Sequence, residues 1–218
     1  MKLFLLIAQI LASTALTVPT GYKHSQMATK TTDFPIAPED LITRAQYIVD
    51  KEIALGLKDG GACLAEDFQF AGPVVGPIDK ASMLAALQNF NLEDSWDINQ
   101  NVFGFHVDPL QPNRVWWLGR TAAKQIAPFA GVDPIDEEVL LAPQVYHMDF
   151  NEQGLVTKFG FGTADRLQGT TGGLGGAFGF FYAVGRALPF REAQPFRPSN
   201  RYRFFQFVGR MVQKLRRD

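Results

Sequence analysis

Two histidine–aspartate pairs are the residues of this chain best spaced for acid–base chemistry. His106 and Asp108 stand two apart, as do His147 and Asp149. On a β-strand, side chains at i and i+2 project to the same face. Each pair would set an imidazole beside a carboxylate. A pair facing a cavity could serve as a general base and the group that orients it. The same spacing also fits a histidine on a solvated sheet face, or one buried against backbone. Asp108 precedes Pro109 and suits the start of a turn, and Asp149 suits a hairpin cap. His147, Asp149 and His106 are the catalytic candidates.

A large aromatic stock accompanies them. Phe68, Phe70, Trp96, Phe103, Phe105, Trp117 and Tyr146 are the candidate ligand-binding residues. Aromatic rings lining an apolar cleft would suit a hydrophobic ligand, and ordinary core packing is the other use of the same residues. Arg114, Trp116, Arg120 and Lys124 share one strand face, which reads as exterior or as a dimer interface. Other chemistry has little support. Cys63 is the only cysteine, so no intrachain disulfide can form, and its apolar neighbours mark it as a small buried hydrophobe. The three histidines are scattered without metal-ligand spacing. No Walker A, GxSxG or HExxH pattern is present, and neither a metal nor a cofactor is expected.

The elements that must position these residues follow from periodicity. Asp40–Lys58 carries apolar residues at helical spacing, after Pro38 and before Gly60-Gly61. Leu64–Ala71 alternates as a strand and ends at Gly72-Pro73. Asp79 caps a second helix over Lys80–Phe90. The period then changes to two. Trp96–Val107, Arg114–Ile126, Val139–Phe150 and Leu155–Gly162 read as four long strands. Asn151-Glu152-Gln153-Gly154 joins the last two as a hairpin. Helices ahead of a run of strands predict an α+β fold with the helices on one face of a curved sheet.

These segments, in this order, resemble the NTF2-like superfamily and its SnoaL-like branch. Phe68-Gln69-Phe70-Ala71-Gly72-Pro73-Val74-Val75-Gly76-Pro77 is similar to the family's strand and Gly-Pro turn. His147 to Val156 is similar to its last hairpin. The resemblance covers about Asp40 to Asp165. It implies an NTF2-like cone, with helices packed on a strongly curved antiparallel sheet around an apolar pocket. The family includes isomerases, polyketide cyclases, dehydratases and members that only bind or dimerise, so fold alone does not give function. Homodimerisation through the sheet is implied by the same analogy. In ketosteroid isomerase the general base is an aspartate just before the proline of this turn. Here Gly72 stands there, which disfavours that mechanism, since a base must reach the proton it removes.

The two ends of the chain differ from the middle. Lys2, the apolar run Leu3–Leu11 and Ser13-Thr14-Ala15 read as a signal peptide to about residue 15. Leu16–Thr32 is basic, hydroxylated and free of acidic residues, like a transit peptide. Together they predict a bipartite leader over 1–32 and a plastid destination, with secretion as the alternative. A domain over 33–166 follows, then a C-terminal extension over 167–218. From Asp33 to Gly185 there are 9 Lys/Arg against 20 Asp/Glu, and from Arg186 to Asp218 there are 9 against 2. An acidic domain would repel phosphate, which argues against nucleic acid.

Leu167–Gly185 is glycine-rich, aromatic and free of charged residues, and suits a lid, a membrane-contacting loop or a buried connection. In Tyr202–Arg217, Phe204, Val208, Met211 and Leu215 fall on one helical stripe and the basic residues elsewhere. A basic amphipathic helix fits an anionic membrane surface, a partner groove or its own acidic domain. Two functions are consistent with these features. One is a pocket protein for a small apolar molecule (a lipid, isoprenoid or pigment derivative), with or without isomerase or cyclase chemistry. The other is a non-catalytic accessory protein held to a membrane or membrane complex by its C-terminal segment.

Overall fold

The computed structural model describes residues 34–50, 53–89 and 91–215. The leader expected over 1–32 lies outside the described residues, as does Phe90. Helix α1 spans Pro38–Val49, with Pro38 in its first turn and Glu39 and Asp40 beside it, where the helix dipole favours negative charge. Leu41, Ala45 and Ile48 form its buried stripe. The helix stops well short of the expected Lys58. The chain leaves helical geometry at Asp50, and Ala54 and Leu55 both adopt left-handed φ values, 49° and 55°. This turn carries Ile53 back onto the core that α1 covers. The helical spacing of Ile53 is thus met by folding back.

Strand β1 (Leu64–Ala71) and helix α2 (Lys80–Asn89) follow as expected, with a short strand β2 (Ile78–Asp79) between them that periodicity did not show. The Asp79 carboxylate accepts the Ser82 N–H at 2.8 Å, which satisfies an N-terminal donor of α2.

The next three long strands each divide in two. Trp96–Val107 becomes β3 (Trp96–Asn99) and β4 (Val102–Val107). Arg114–Ile126 becomes β5 (Arg114–Gly119) and β6 (Ala122–Gln125). Val139–Phe150 becomes β7 (Val139–Leu140) and β8 (Gln144–Phe150). The breaks are in register. Asn99, Ala122 and Leu140 are paired on one side, and Val102, Gly119 and Gln144 on the other. Three adjacent strands therefore bend together at one level.

The residues at the bend explain it. Asn101 takes a left-handed φ of 44°, and its side-chain amide donates to the Arg120 carbonyl at 3.0 Å. The Arg120 N–H returns a bond to Gln100 O at 3.1 Å, and Leu141 N–H bonds Thr121 O at 3.0 Å. Pro143 has no N–H to continue a ladder. Gly119 is required for space, since a Cβ there would lie 2.9 Å from the Tyr146 ring.

Strand β9 (Val156–Thr163) completes a six-stranded sheet of order β2-β1-β9-β8-β5-β4. Its β1–β9 pair is parallel, and the other pairs are antiparallel. Beyond the bend, β3, β6 and β7 form a three-stranded sheet. The expected hairpin joins β8 to β9, with Gly154 at φ 71° and the Asn151 side chain accepting the Gln153 and Leu155 N–H groups. This is the α+β architecture that the resemblance implied, with helices against a strongly curved sheet.

Each arm of the bent sheet has its own core. Under the large sheet, α1 and α2 cover Leu64, Phe68, Phe70, Val115, Trp117, Met148, Phe150 and Phe159. Under the small sheet, helix α3 (Gly176–Ala183) adds Phe180 to Trp96, Phe129, Val139 and Leu141. The glycine-rich segment is thus a packed connection. Its glycines let backbone run close to β7, where a Cβ at Gly169 would meet the Leu140 carbonyl at 2.5 Å. Helix α4 (Asn200–Leu215) ends the described chain and is exposed along nearly its whole length.

Replacing Gly119 with alanine should destabilise the fold by about 1–3 kcal/mol, because the new methyl must displace the Tyr146 ring or the strand. Urea unfolding of Gly119→Ala against the wild type measures this, and an unchanged midpoint would remove Gly119 from the account of the bend.

Candidate functional site

Strand alternation separates the candidate residues into two sets on opposite faces. Val115 and Trp117 of β5, Tyr146 and Met148 of β8, and Phe159 and Phe161 of β9 point toward the helices. Phe68, Phe70 and Phe105 join them. Trp117 is stacked between Phe105 at 5.3 Å and Tyr146 at 5.5 Å, both within about 11° of parallel. Phe70 packs on Phe159 and Phe161. Trp96 lies in the other core, 4.9 Å from Phe180. So of the residues expected to line a pocket, Phe68, Phe70, Phe105 and Tyr146 pack into the core of the large sheet and Trp96 into that of the small one. The physical reason is their number and size, which fill the concave side. Burial pushes the Tyr146 hydroxyl up to about 12, and it donates to Gln144 Oε1 at 2.7 Å.

The histidines and aspartates lie on the face turned away from the helices. Register places Asp149 opposite Arg114, His147 opposite Trp116, and Val145 opposite Leu118. Across the other edge of β5, His106 lies opposite Trp116 and Phe103 opposite Leu118. Two steps of β5 thus face three steps of β4, and the extra residue is a bulge at Gly104, whose φ is 73°.

The bulge opens a recess of about 300 Å³, lined by Gly104, His106, Asp108, Pro109, Trp116, Trp117, Leu118 and Val145. The Trp116 indole N–H donates to Asp108 Oδ2 at 2.7 Å, and that bond is the main cause holding the Asp108 carboxyl below its ordinary value. Asp108 Oδ1 accepts the Leu110 and Gln111 N–H groups, so the expected turn is present as well. His106 is exposed, and its Nδ1 lies 2.9 Å from the Gly104 carbonyl. A carbonyl can only accept, so Nδ1 carries the proton and Nε2 of the neutral ring keeps a free lone pair.

His147 and Asp149 are close together, but Asp149 is committed elsewhere and His147 Nδ1 is buried without a hydrogen-bond partner. Arg114 grips Asp149 with two bonds, Nε to Oδ1 at 2.6 Å and Nη2 to Oδ2 at 2.7 Å. Gln111 adds a third at 3.1 Å. Burial alone would raise the Asp149 carboxyl, but the Arg114 contacts outweigh it and hold it well below the carboxylate range. His147 Nδ1 stands 3.6 Å from Asp149 Oδ1, beyond hydrogen-bond reach. The ring packs on Trp116 at 4.9 Å, and its other edge lies over Gly160, where a Cβ would meet Nε2 at 2.5 Å. Arg114 also lies over the Trp116 ring at 5.3 Å. Neither of the pair lines the recess, and His106 is the catalytic candidate that does.

Cys63 is buried, its thiol pushed up to about 12 by burial and then by Asp59, so it is no nucleophile at neutral pH. A second recess of about 340 Å³ between β1 and β2 is acidic, lined in part by Glu66, Asp67 and Asp79. Sequence reasoning placed Arg114 and Trp116 on one exterior face but missed the recess beside them. The available signal was Gly104 inside an otherwise alternating strand, the mark of a bulge.

No family model matches the chain, and no curated protein does. Solved structures similar to it are mainly SnoaL-like polyketide cyclases and ketosteroid isomerase-like proteins. AclR from Streptomyces galilaeus, provisionally described as a hydroxylase, is 14% identical over 70% of this chain and 100% of its own, with a TM-score of 0.48. A protein from Jannaschia sp. CCS1, provisionally described as a SnoaL-like polyketide cyclase, is 17% identical over 57% and 85%, at 0.43. A Mycobacterium tuberculosis LEH-like epoxide hydrolase is 12% identical over 57% and 83%, at 0.39. At these values the likeness extends to the backbone and not to any reaction.

Asp149→Asn should cost roughly 3 kcal/mol at neutral pH, since it leaves the half-buried Arg114 charge unpaired. The folded-state carboxyl is depressed, so its contribution is full above the unfolded value and is lost as pH falls through the folded one. The gap between variant and wild type should therefore narrow below about pH 4. Denaturant melts across pH measure it, and a gap independent of pH would rule out the ionised pair as its source.

Proposed function

We propose that this domain binds a small, mostly apolar molecule in the recess that the β4 bulge opens on the outer sheet face. The observation that carries the reading is the Trp116 indole, fixed by Asp108 as an apolar wall opposite the free Nε2 of His106. The volume lies at the lower end of the range for small-molecule sites. A ring with one hydroxyl substituent suits such a lining, since the Nε2 lone pair accepts a hydrogen bond. That favours an isoprenoid or pigment-derived ring, met in the plastid if the leader over 1–32 acts as its composition suggests.

Binding is better supported than turnover. Asp149 is already neutralised by Arg114, His147 is packed between Trp116 and Gly160, and the position of the isomerase base is Gly72. A second use of the same face is also favoured by an observation. Phe103 and Leu118 are 45% and 37% exposed beside the recess, which suits pairing with a second copy of the chain.

Titration with 3-hydroxy-β-ionone, an isoprenoid carrying a ring hydroxyl, should quench tryptophan fluorescence saturably in the wild type. Leu118→Arg places a charged side chain in the recess and should weaken that binding at least about tenfold without changing the thermal melt. Equal quenching in both proteins would place the ligand elsewhere. Absent quenching, together with a dimer that dissociates in Leu118→Arg, would favour the second copy.

A further inference from the structure

Helix α4 is the one long element of the described chain whose apolar residues meet no core. It runs sixteen residues, Asn200–Leu215, or about 24 Å. Phe204, Phe205 and Phe207 are 65%, 64% and 53% exposed, and Met211 and Val212 are also exposed. At helical spacing these residues, with Val208, cover an arc of roughly 160°. Arg203, Arg210 and Lys214 fall together along one edge of that arc, at i, i+7 and i+11. Arg201 stands in the first turn, where its long side chain can reach the water side.

The charge pattern selects the occupant. The helix contains no acidic residue. The body from Asp33 to Gly185 carries 20 Asp/Glu against 9 Lys/Arg, yet among the described residues no carboxylate pairs with Arg201, Arg203, Arg210 or Lys214. The acidic surface at hand thus leaves the basic edge unused. A phenylalanine-rich arc with cations along its edge matches a bilayer interface, where rings enter the acyl boundary and cations meet lipid phosphates. The helix is not a span, since no described helix is long and apolar enough to cross a membrane.

We propose that α4 lies in the plane of an anionic lipid surface, with Phe204, Phe207, Val208 and Met211 in the acyl boundary and Arg203, Arg210 and Lys214 at the headgroup phosphates. The lipid-facing arc and the sheet recess belong to different elements, so either assignment stands without the other.

The test is flotation of the full chain with vesicles of phosphatidylcholine alone, or of phosphatidylcholine and phosphatidylglycerol in equal parts. The chain should float with the anionic vesicles, sediment with the neutral ones and be released by high salt. Replacing Arg203, Arg210 and Lys214 by glutamine should weaken binding by roughly a hundredfold, from three lost cations. Phe204→Glu with Met211→Glu should abolish it. Because these side chains are exposed, both variants should keep the wild-type melt. Flotation with neither vesicle type, or equally with both, overturns the proposal. So does a concentration-dependent dimer, seen by sedimentation equilibrium, that the Phe204→Glu, Met211→Glu variant dissolves in the absence of vesicle binding.

Discussion

The shared bend of three neighbouring strands governs the rest of the molecule. A sheet left unbent through Asn99–Val102, Gly119–Ala122 and Leu140–Gln144 would present one continuous face and one core. Bending all three strands at one level produces two arms, and each arm must bury its own apolar face. The large arm does so with α1 and α2. The two helices before the small arm in the chain are committed to the large one, so it takes α3 from beyond the last strand. This gives the glycine-rich segment its composition. It must run close past β7 and still deliver two phenylalanines.

On the outer face, electrostatics and packing are joined through one indole. Trp116 receives Arg114 over its ring, His147 against its edge and Asp108 at its N–H. Arg114 in turn pairs with Asp149, hydrogen bonds hold Asp108, and His106 is left as the exposed imidazole. The arrangement is rigid and mostly satisfied, which suits holding a ligand more than moving protons. A base poised for catalysis normally keeps a titration near working pH, and Asp149 has been driven far from it.

Much of the backbone was legible from the sequence. The β1 boundaries, the Asp79 cap and the Asn151–Gly154 hairpin rest on local signals, and each stands where periodicity placed it. The long strands were legible as extended chain but not as bent chain, because the bend depends on Asn101 in left-handed geometry and on Gly119 facing Tyr146, contacts between residues far apart in sequence. The first helix was overread because Ile53 keeps the helical period while serving the core from a reversed turn. At the site, alternation put His106 with Asp108 and His147 with Asp149, each pair on one face of its strand. Which side the core would occupy depended on where the helices fold back, and that is a tertiary choice. The pocket aromatics were picked by type, and type does not distinguish a ring that lines a space from one that fills it.

The three tryptophans have one further consequence. Trp117 lies in the core of the large arm, Trp96 in that of the small arm, and Trp116 outside both. Each compartment of the molecule therefore contains its own natural chromophore. Chains keeping one indole apiece would report separately on the two cores and the outer face. Their emission would show whether the arms lose order in one step or in succession, and so whether the bend behaves as a seam or as a continuous part of one cooperative unit.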